Sequence, residues 1–443
     1  MPTPSLAELD RASWLHPFSP LPAAGRSDPL AIVEGRGTRV RDANGRWLLD
    51  AMAGLWCVNA GHGRAEIAEA MAEQAARLGY FHGFAGALNE PAVQLAAKLL
   101  ELAPVPMGRV FFASSGSEAN DTQLKLIWQF QHLRGKPHKR KVLARRRGYH
   151  GSTVAAASLT GLPYVHAGFG LPLPGFAHVS PAHWPGDADT GESERGYGER
   201  LARELDEAIA REGPETVAAF FAEPVMGAGG VLVPPENYFT AIQPVLRHHD
   251  VLLVADEVIC GFGRLGRWFG SQRFGIEPDL ITVAKGLTSG YAPLSACLVS
   301  QPVVDVLASG SAELGALNHG YTYSGHPVAA AAALANLAIF AREKLVERAD
   351  ETGARLQQRL RDACAGHAAV RDVRGVGMIA AVEPREADDA RRLQARLLED
   401  GVLTRAVGGA VAISPPLTFA ESEVDELVSA LRRGLDELAR SRP

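Results

Sequence analysis

Apolar residues along this chain follow two rhythms. Short, mostly apolar runs occur at 110–113, 141–144, 216–221, 251–256 and 280–284, the second and third opening on Lys141 and Thr216 and the fourth ending on Asp256. Between them, apolar positions recur every three or four residues over 65–78, 90–102, 200–212 and 237–247. The first pattern predicts strands buried on both faces, although a short apolar run alone does not separate a strand from a buried helix segment. The second predicts amphipathic helices, with Pro91 placed to start one of them. Their alternation from about residue 65 to 300 predicts a mostly parallel sheet layered by helices.

The flanks read differently. Residues up to about Gly37 are Pro-rich and irregular, and 38–40 with 47–50 predict a hairpin about the turn Asp42-Ala43-Asn44-Gly45. Residues 162–198 carry Pro, Gly and His without a period and predict a long irregular excursion. Beyond His319 an Ala-rich helix over 328–340 is expected, then strands over 376–382 and 402–413 with helices over 388–399 and 421–439. That is the pattern of a smaller α+β domain.

Composition narrows the class. A chain of 443 residues predicts two to three domains. The formal net charge of −5 argues against general nucleic-acid or anionic-membrane binding, which need a concentrated positive field. The basic clusters at 136–141 and 145–147 are local and read as solvated. Four widely spaced cysteines show no CxxC or Cys/His metal spacing, so no metal and a reducing cytoplasm are expected. The amino terminus lacks the charged and apolar regions of a signal peptide. The longest apolar stretch, 328–340, is too short to span a bilayer.

Two of the predicted strands end on charges, Asp256 and Lys285. Ligands of open α/β sheets bind at the carboxyl ends of the strands, so an acid and an amine delivered there could face one small molecule. A lysine amine can condense with a cofactor aldehyde and later act as a base. A permanent negative charge can keep a pyridine nitrogen protonated and the ring electron-withdrawing. The pair therefore suits pyridoxal 5'-phosphate, although either residue alone is more often structural. A phosphate site is expected at Ser115, Gly116 and Ser117, where a strand turns into a helix and free backbone N–H groups meet two hydroxyls. Ser115 and Glu118 also match a capping box, which is the plainer reading of the same motif. Tyr149, at the end of another strand, could stack on a ring or be an ordinary core tyrosine.

Several blocks carry a resemblance. LLVADEVICGFGRLG with PDLITVAKGLTSGYAPLSA resembles the signature of the class III (ω-) aminotransferases, which are fold-type I pyridoxal phosphate enzymes. WLHPF, LLDAMAGLWCVNAGHG, SSGSEAND, GYHGST, AEPVMGAGG, GYTYSGHP and SPPL extend the likeness over nearly the whole chain. The resemblance implies a seven-stranded, mostly parallel sheet in a large cofactor domain, residues 61–325. A smaller α+β domain would comprise 326–443 with the N-terminal segment 1–60.

By motif, the resemblance makes Lys285 the amine that holds the cofactor and moves the proton at the substrate's α-carbon, and Asp256 the partner of the ring nitrogen. Ser115, Gly116 and Ser117 would hold the phosphate, joined by Thr322 of a second copy. Tyr149 and Val258 would bound the ring, with Glu223 as a nearby polar support. A site shared in this way implies a homodimer or a tetramer. The ornithine and γ-aminobutyrate branches carry Gln where Ile259 stands and Glu where Ala228 stands. Both differences favour the ω-amino acid (β-alanine) and amine:pyruvate branch. There Arg405 would grip the carboxylate of pyruvate, while Trp56, Phe18, Phe84 and Tyr321 would line the substrate pocket. Without the resemblance, Arg405 reads as a strand-edge arginine and the four aromatics as core residues. The expected reaction moves an amino group from an ω-amino acid or amine to pyruvate. The alternatives are a 2-oxoglutarate-dependent aminotransferase and an isomerase like glutamate-1-semialdehyde aminomutase.

Overall fold

A computed structural model of the chain describes residues 5–19, 29–310 and 314–440. Near the amino terminus β1 (Ile32–Arg36), β2 (Arg39–Asp42) and β3 (Trp47–Asp50) form an antiparallel meander. The large sheet follows from β4 (Arg109–Ala113), β5 (Lys141–Arg145), β6 (Phe176–Val179), β7 (Val217–Ala222), β8 (Leu252–Asp256), β9 (Leu280–Val283) and β10 (Ser295–Val299). Its order is β4-β10-β9-β8-β7-β5-β6, and β10 runs antiparallel to both of its neighbours. The carboxyl ends of β8 and β9, adjacent and parallel, thus lie side by side.

Both faces of this sheet are covered, which is why its strands read as mostly apolar runs. Phe220, Ala222 and Leu253 pack with the helices Glu194–Glu212 and Tyr238–His248. Ala219, Phe221 and Val254 point the other way, against Leu124, Ile127 and Phe130 of the helix Gly116–Leu133. Successive residues serve opposite layers, the two-residue period of a strand. The helix Pro327–Arg342 is buried among the helices Ala65–Leu78 and Glu90–Leu102. Its alanines permit the close approach.

The C-terminal part holds β11 (Val370–Val376), β12 (Ile379–Pro384), β13 (Val402–Leu403), β14 (Arg405–Val407) and β15 (Ala410–Ile413). Four of these form a sheet ordered β11-β12-β15-β14, flanked by helices Leu345–Cys364, Asp389–Glu399 and Glu421–Arg440. The fifth, β13, pairs in parallel with β3, Val402 opposite Leu49.

Several expectations need correction. The run 376–382 is two strands rather than one: Gly377 and Met378 turn the chain between β11 and β12, with Gly377 at φ 56. A Cβ there would stand 2.7 Å from the Leu265 backbone, so the apolar run hides a turn that needs glycine. The excursion at 162–198 is ordered by β6 and by the short helices Pro163–His166 and Trp184–Asp187, and the next helix starts at Glu194. Edge position explains the weak signal, since β6 contacts only one neighbouring strand. β1 and the helix Leu6–Ser13, which buries none of its residues, also lie in the segment expected to be irregular. An amphipathic period covers Leu345–Cys364 as well, and that helix was not among the expected elements.

Candidate active site

The carboxyl ends of β8 and β9 open on a cavity of about 350 Å³ lined by Asp256, Lys285, Tyr149, Glu223, Val258 and the 114–117 turn. Lys285 begins the tight turn after β9 with φ 44, in the left-handed region. For a non-glycine residue that costs on the order of 1 kcal/mol, a strain that concentrates at functional positions. Its amine makes no hydrogen bond or ion pair with another described residue. The backbone behind it is fixed: Gly286 abuts Asn59, whose side-chain oxygen accepts from buried Arg264. Arg264 also donates to the carbonyls of Met378 and Pro415, tying the lysine turn to the C-terminal part. Burial lowers the Arg264 pKa to about 9.

Asp256 is held by three donors. Its Oδ2 lies 2.8 Å from His150 Nδ1 and accepts from Asn120 Nδ2 at 2.9 Å, and its Oδ1 accepts the Val258 N–H at 3.1 Å. Asn120 is itself locked, donating to the His150 carbonyl at 2.7 Å and accepting from Thr282 at 2.8 Å. Such a set fixes the carboxylate's position and direction in the cavity wall. Glu223, fully enclosed, accepts the N–H groups of Tyr149 at 3.0 Å and Gly227 at 2.9 Å. Burial pushes its carboxyl above the ordinary range, and the charge of Asp256 adds to the effect.

The 114–117 turn keeps both of its sequence readings. Ser115 caps the helix, its Oγ accepting from Glu118 N at 3.2 Å, while the Glu118 carboxylate reaches back to the Ser114 N–H at 2.7 Å. Gly116 and Ser117 occupy the first turn, where backbone N–H groups have no partner within the helix. A Cβ on Gly116 would stand 3.0 Å from Val258 Cγ2. Backbone donors, two hydroxyls and a helix terminus therefore meet in one wall of a cavity that also holds the amine and the acid. That donor set fits a phosphorylated pyridine aldehyde.

Not every expected residue converges here. Arg405 lies exposed on β14 and lines a different cavity, beside Asp50 and His62. Trp56 is buried in an apolar cluster with Val225 and Ile259, at φ 57, its indole N–H without a partner among the described residues. Phe18 and Phe84 are exposed, Phe18 meeting Tyr164 edge to face at 6.5 Å. Tyr321 donates to the Glu118 carbonyl at 3.2 Å beside His319 and Phe111. Thr322 is exposed, its carbonyl accepting from Tyr80. Within one chain these six do not line the cavity of Lys285. His150, Asn120, Thr282 and Cys57 belong to the site or its support and are not among the residues expected there, although each stands inside one of the blocks that carry the resemblance.

The family model for class-III aminotransferases matches residues 22–435. The chain is a class-III aminotransferase. The family works with pyridoxal 5'-phosphate on small-molecule amine and keto acid substrates. This aminotransferase is similar to the diaminobutyrate–2-oxoglutarate transaminase of Halomonas elongata, 46% identical, the match covering 98% of this chain and 96% of that one. It is 42% identical to the putrescine–pyruvate aminotransferase of Pseudomonas aeruginosa, over 97% and 96% of the two chains. Among solved structures, the omega transaminase from Pseudomonas jessenii in complex with PMP superposes with a TM-score of 0.97 at 46% identity, covering 99% of each chain. The fold is thereby the fold-type I arrangement expected.

Gly116→Ala is expected to weaken cofactor retention about tenfold, because the added methyl overpacks Val258 at a cost of roughly 1–3 kcal/mol beside the phosphate donors. The measurement is cofactor absorbance after graded dialysis; retention equal to the parent would remove the turn from the cofactor site.

Proposed function

We propose that this aminotransferase moves an amino group from an ω-amino acid such as β-alanine, or from a simple amine, to pyruvate, yielding alanine and an aldehyde or ketone. The observation that carries the catalytic reading is the shared cavity of Lys285 and Asp256, walled by the 114–117 turn. When bound, pyridoxal phosphate supplies the carbonyl carbon that takes the amine and the ring that withdraws the electron pair freed at the α-carbon. Lys285 Nζ then carries the proton to and from that carbon. Asp256, positioned by His150, Asn120 and the Val258 N–H, would hold the ring nitrogen, and the N–H groups of Gly116 and Ser117 with the two serine hydroxyls would hold the phosphate. Tyr149 and Val258 would bound the ring, and Glu223 would fix the Tyr149 backbone.

For the substrate, the support is a lone cation. Arg405 has no carboxylate within ion-pair distance among the described residues; its side chain lines the neighbouring cavity beside Asp50 and His62, so it would have to turn toward Lys285 to meet a substrate carboxylate. Phe18, Trp56, Phe84 and Tyr321 remain proposed pocket residues, some of them reaching the site from a second copy, as would Thr322. The exposed rings of Tyr80, Phe81, Phe84 and Tyr323 favour a homodimer over a monomer. Residues 61–325 would form the cofactor domain, and the β3–β13 pairing supports grouping 1–60 with 326–443. Four free thiols are in keeping with a cytoplasmic setting, and among the described residues no helix is long and apolar enough to cross a membrane.

The relative that uses 2-oxoglutarate keeps a second acceptor in view. With one amine donor, pyruvate is expected to exceed 2-oxoglutarate in kcat/KM by about tenfold or more, since a second substrate carboxylate would lack a dedicated cation. Alanine is the product to quantify. Preference for 2-oxoglutarate would reassign the acceptor, and failure to form alanine would favour the isomerase.

A further inference from the structure

A second cavity, of about 780 Å³, lies on the far edge of the large sheet, between the end of β5 and the ordered excursion that contains β6. Its wall includes Arg146, Arg147, Arg200, His166, His178 and Ser180. Consecutive residues of an extended strand point to opposite faces. Here Arg147 leaves the strand with φ 68, and both arginines line one cavity.

Their charges are poorly compensated. Arg146 donates to Ser180 Oγ and has no carboxylate within ion-pair distance among the described residues. Arg147 spends two donors on one backbone carbonyl, that of Gly229, at 3.2 and 2.8 Å, and burial is the main cause lowering its pKa. Arg200 differs, being neutralised by Glu192 at 2.8 and 2.9 Å. His166 and His178 sit 5.9 Å apart between ring centroids. Each points Nε2 at a backbone carbonyl, of Ala157 and Leu159, at 2.9 Å, so each Nε2 carries a proton and each Nδ1 remains without a partner among the described residues. The one carboxylate in the wall, Asp187, also leans on His183 at 3.6 Å. Two guanidiniums without a paired carboxylate and two imidazoles, with Arg200 already neutralised, thus surround a space whose lining holds one acid, Asp187.

We propose that this cavity binds a phosphate dianion, either inorganic phosphate or the phosphate group of a small organic monoester. Guanidinium pairs match the oxygens of such a group geometrically, and a monocarboxylate would leave one of the two cations uncompensated. The volume favours the monoester, since a bare phosphate would leave most of the space to water. The occupant would also sit one side chain from the 227–230 loop, because the Gly229 carbonyl that Arg147 holds belongs to the segment whose Gly227 N–H supports Glu223.

The test is calorimetric titration of the cofactor-loaded, full-length enzyme with inorganic phosphate and, separately, glycerol 1-phosphate, at constant ionic strength. With the cofactor phosphate site filled, one saturable site per chain is expected at millimolar concentration or below. Arg146→Gln, a change at an exposed position, is expected to weaken that binding about tenfold or more while leaving folding and transamination at parental values. His178→Gln should weaken it independently, and Ser117→Ala should leave it unchanged. Tighter binding of the monoester identifies an organic source, and equal binding identifies free phosphate. Absence of saturable binding for both probes, retention of parental affinity in Arg146→Gln, or loss in Ser117→Ala would overturn the assignment.

Discussion

Lys285→Ala is expected to slow alanine formation from pyruvate by about a thousandfold or more, because a single side chain serves as both the amine that takes the cofactor and the base at the α-carbon. Among the described residues lining the cavity, the titratable neighbours are otherwise engaged, Glu223 through the N–H groups of Tyr149 and Gly227. His150 is committed to Asp256 at 2.8 Å, and the Tyr149 hydroxyl pairs with Ser152 at 3.0 Å. Cys57 lines the same cavity, yet burial raises its pKa above the ordinary thiol value and keeps it protonated. The fold should survive, since alanine tolerates φ 44 no worse than lysine does. Adding a small primary amine to the variant should restore part of the rate. Turnover within tenfold of the parent would remove Lys285 from the reaction.

Asp256→Asn carries the second-largest expected loss, about a hundredfold to a thousandfold in kcat/KM, the range seen when a preorganised electrostatic partner is removed. The substitution keeps the volume but loses the charge. It also turns one of the two acceptor oxygens into a donor, so that in either amide orientation an NH2 faces a donor, the Val258 N–H or the pair His150 Nδ1 and Asn120 Nδ2. A drop in activity with a nearly unchanged thermal midpoint would separate loss of charge from loss of structure. Activity within fivefold of the parent would mean that the ring nitrogen has another partner.

How far the sequence foretold this site depends on the distance between cooperating residues. Asp256, Lys285 and the 115–117 turn were legible because strand ends and helix starts are local patterns, and parallel β8 and β9 bring their ends together by topology alone. Of the three donors on Asp256, the Val258 N–H is local, but the other two come from the segment after β5 and from the first helix after β4, and no local pattern links either to residue 256. The capping box was half right, since Ser115 caps as expected but the Glu118 carboxylate reaches Ser114 rather than Ser115. The aromatic residues and Arg405 were named by resemblance, and within one chain they lie outside the Lys285 cavity. The 145–147 cluster read as solvated because nothing in its own sequence announces the left-handed Arg147 or the excursion that packs over it.

The pairing of Leu49 with Val402 joins residues far apart along the chain. A ribosome making this protein releases the β1–β3 meander long before its partner strand β13. Until then one edge of the meander stays open to other chains, so expression at low temperature or with chaperones that shield strand edges should raise the yield of assembled enzyme.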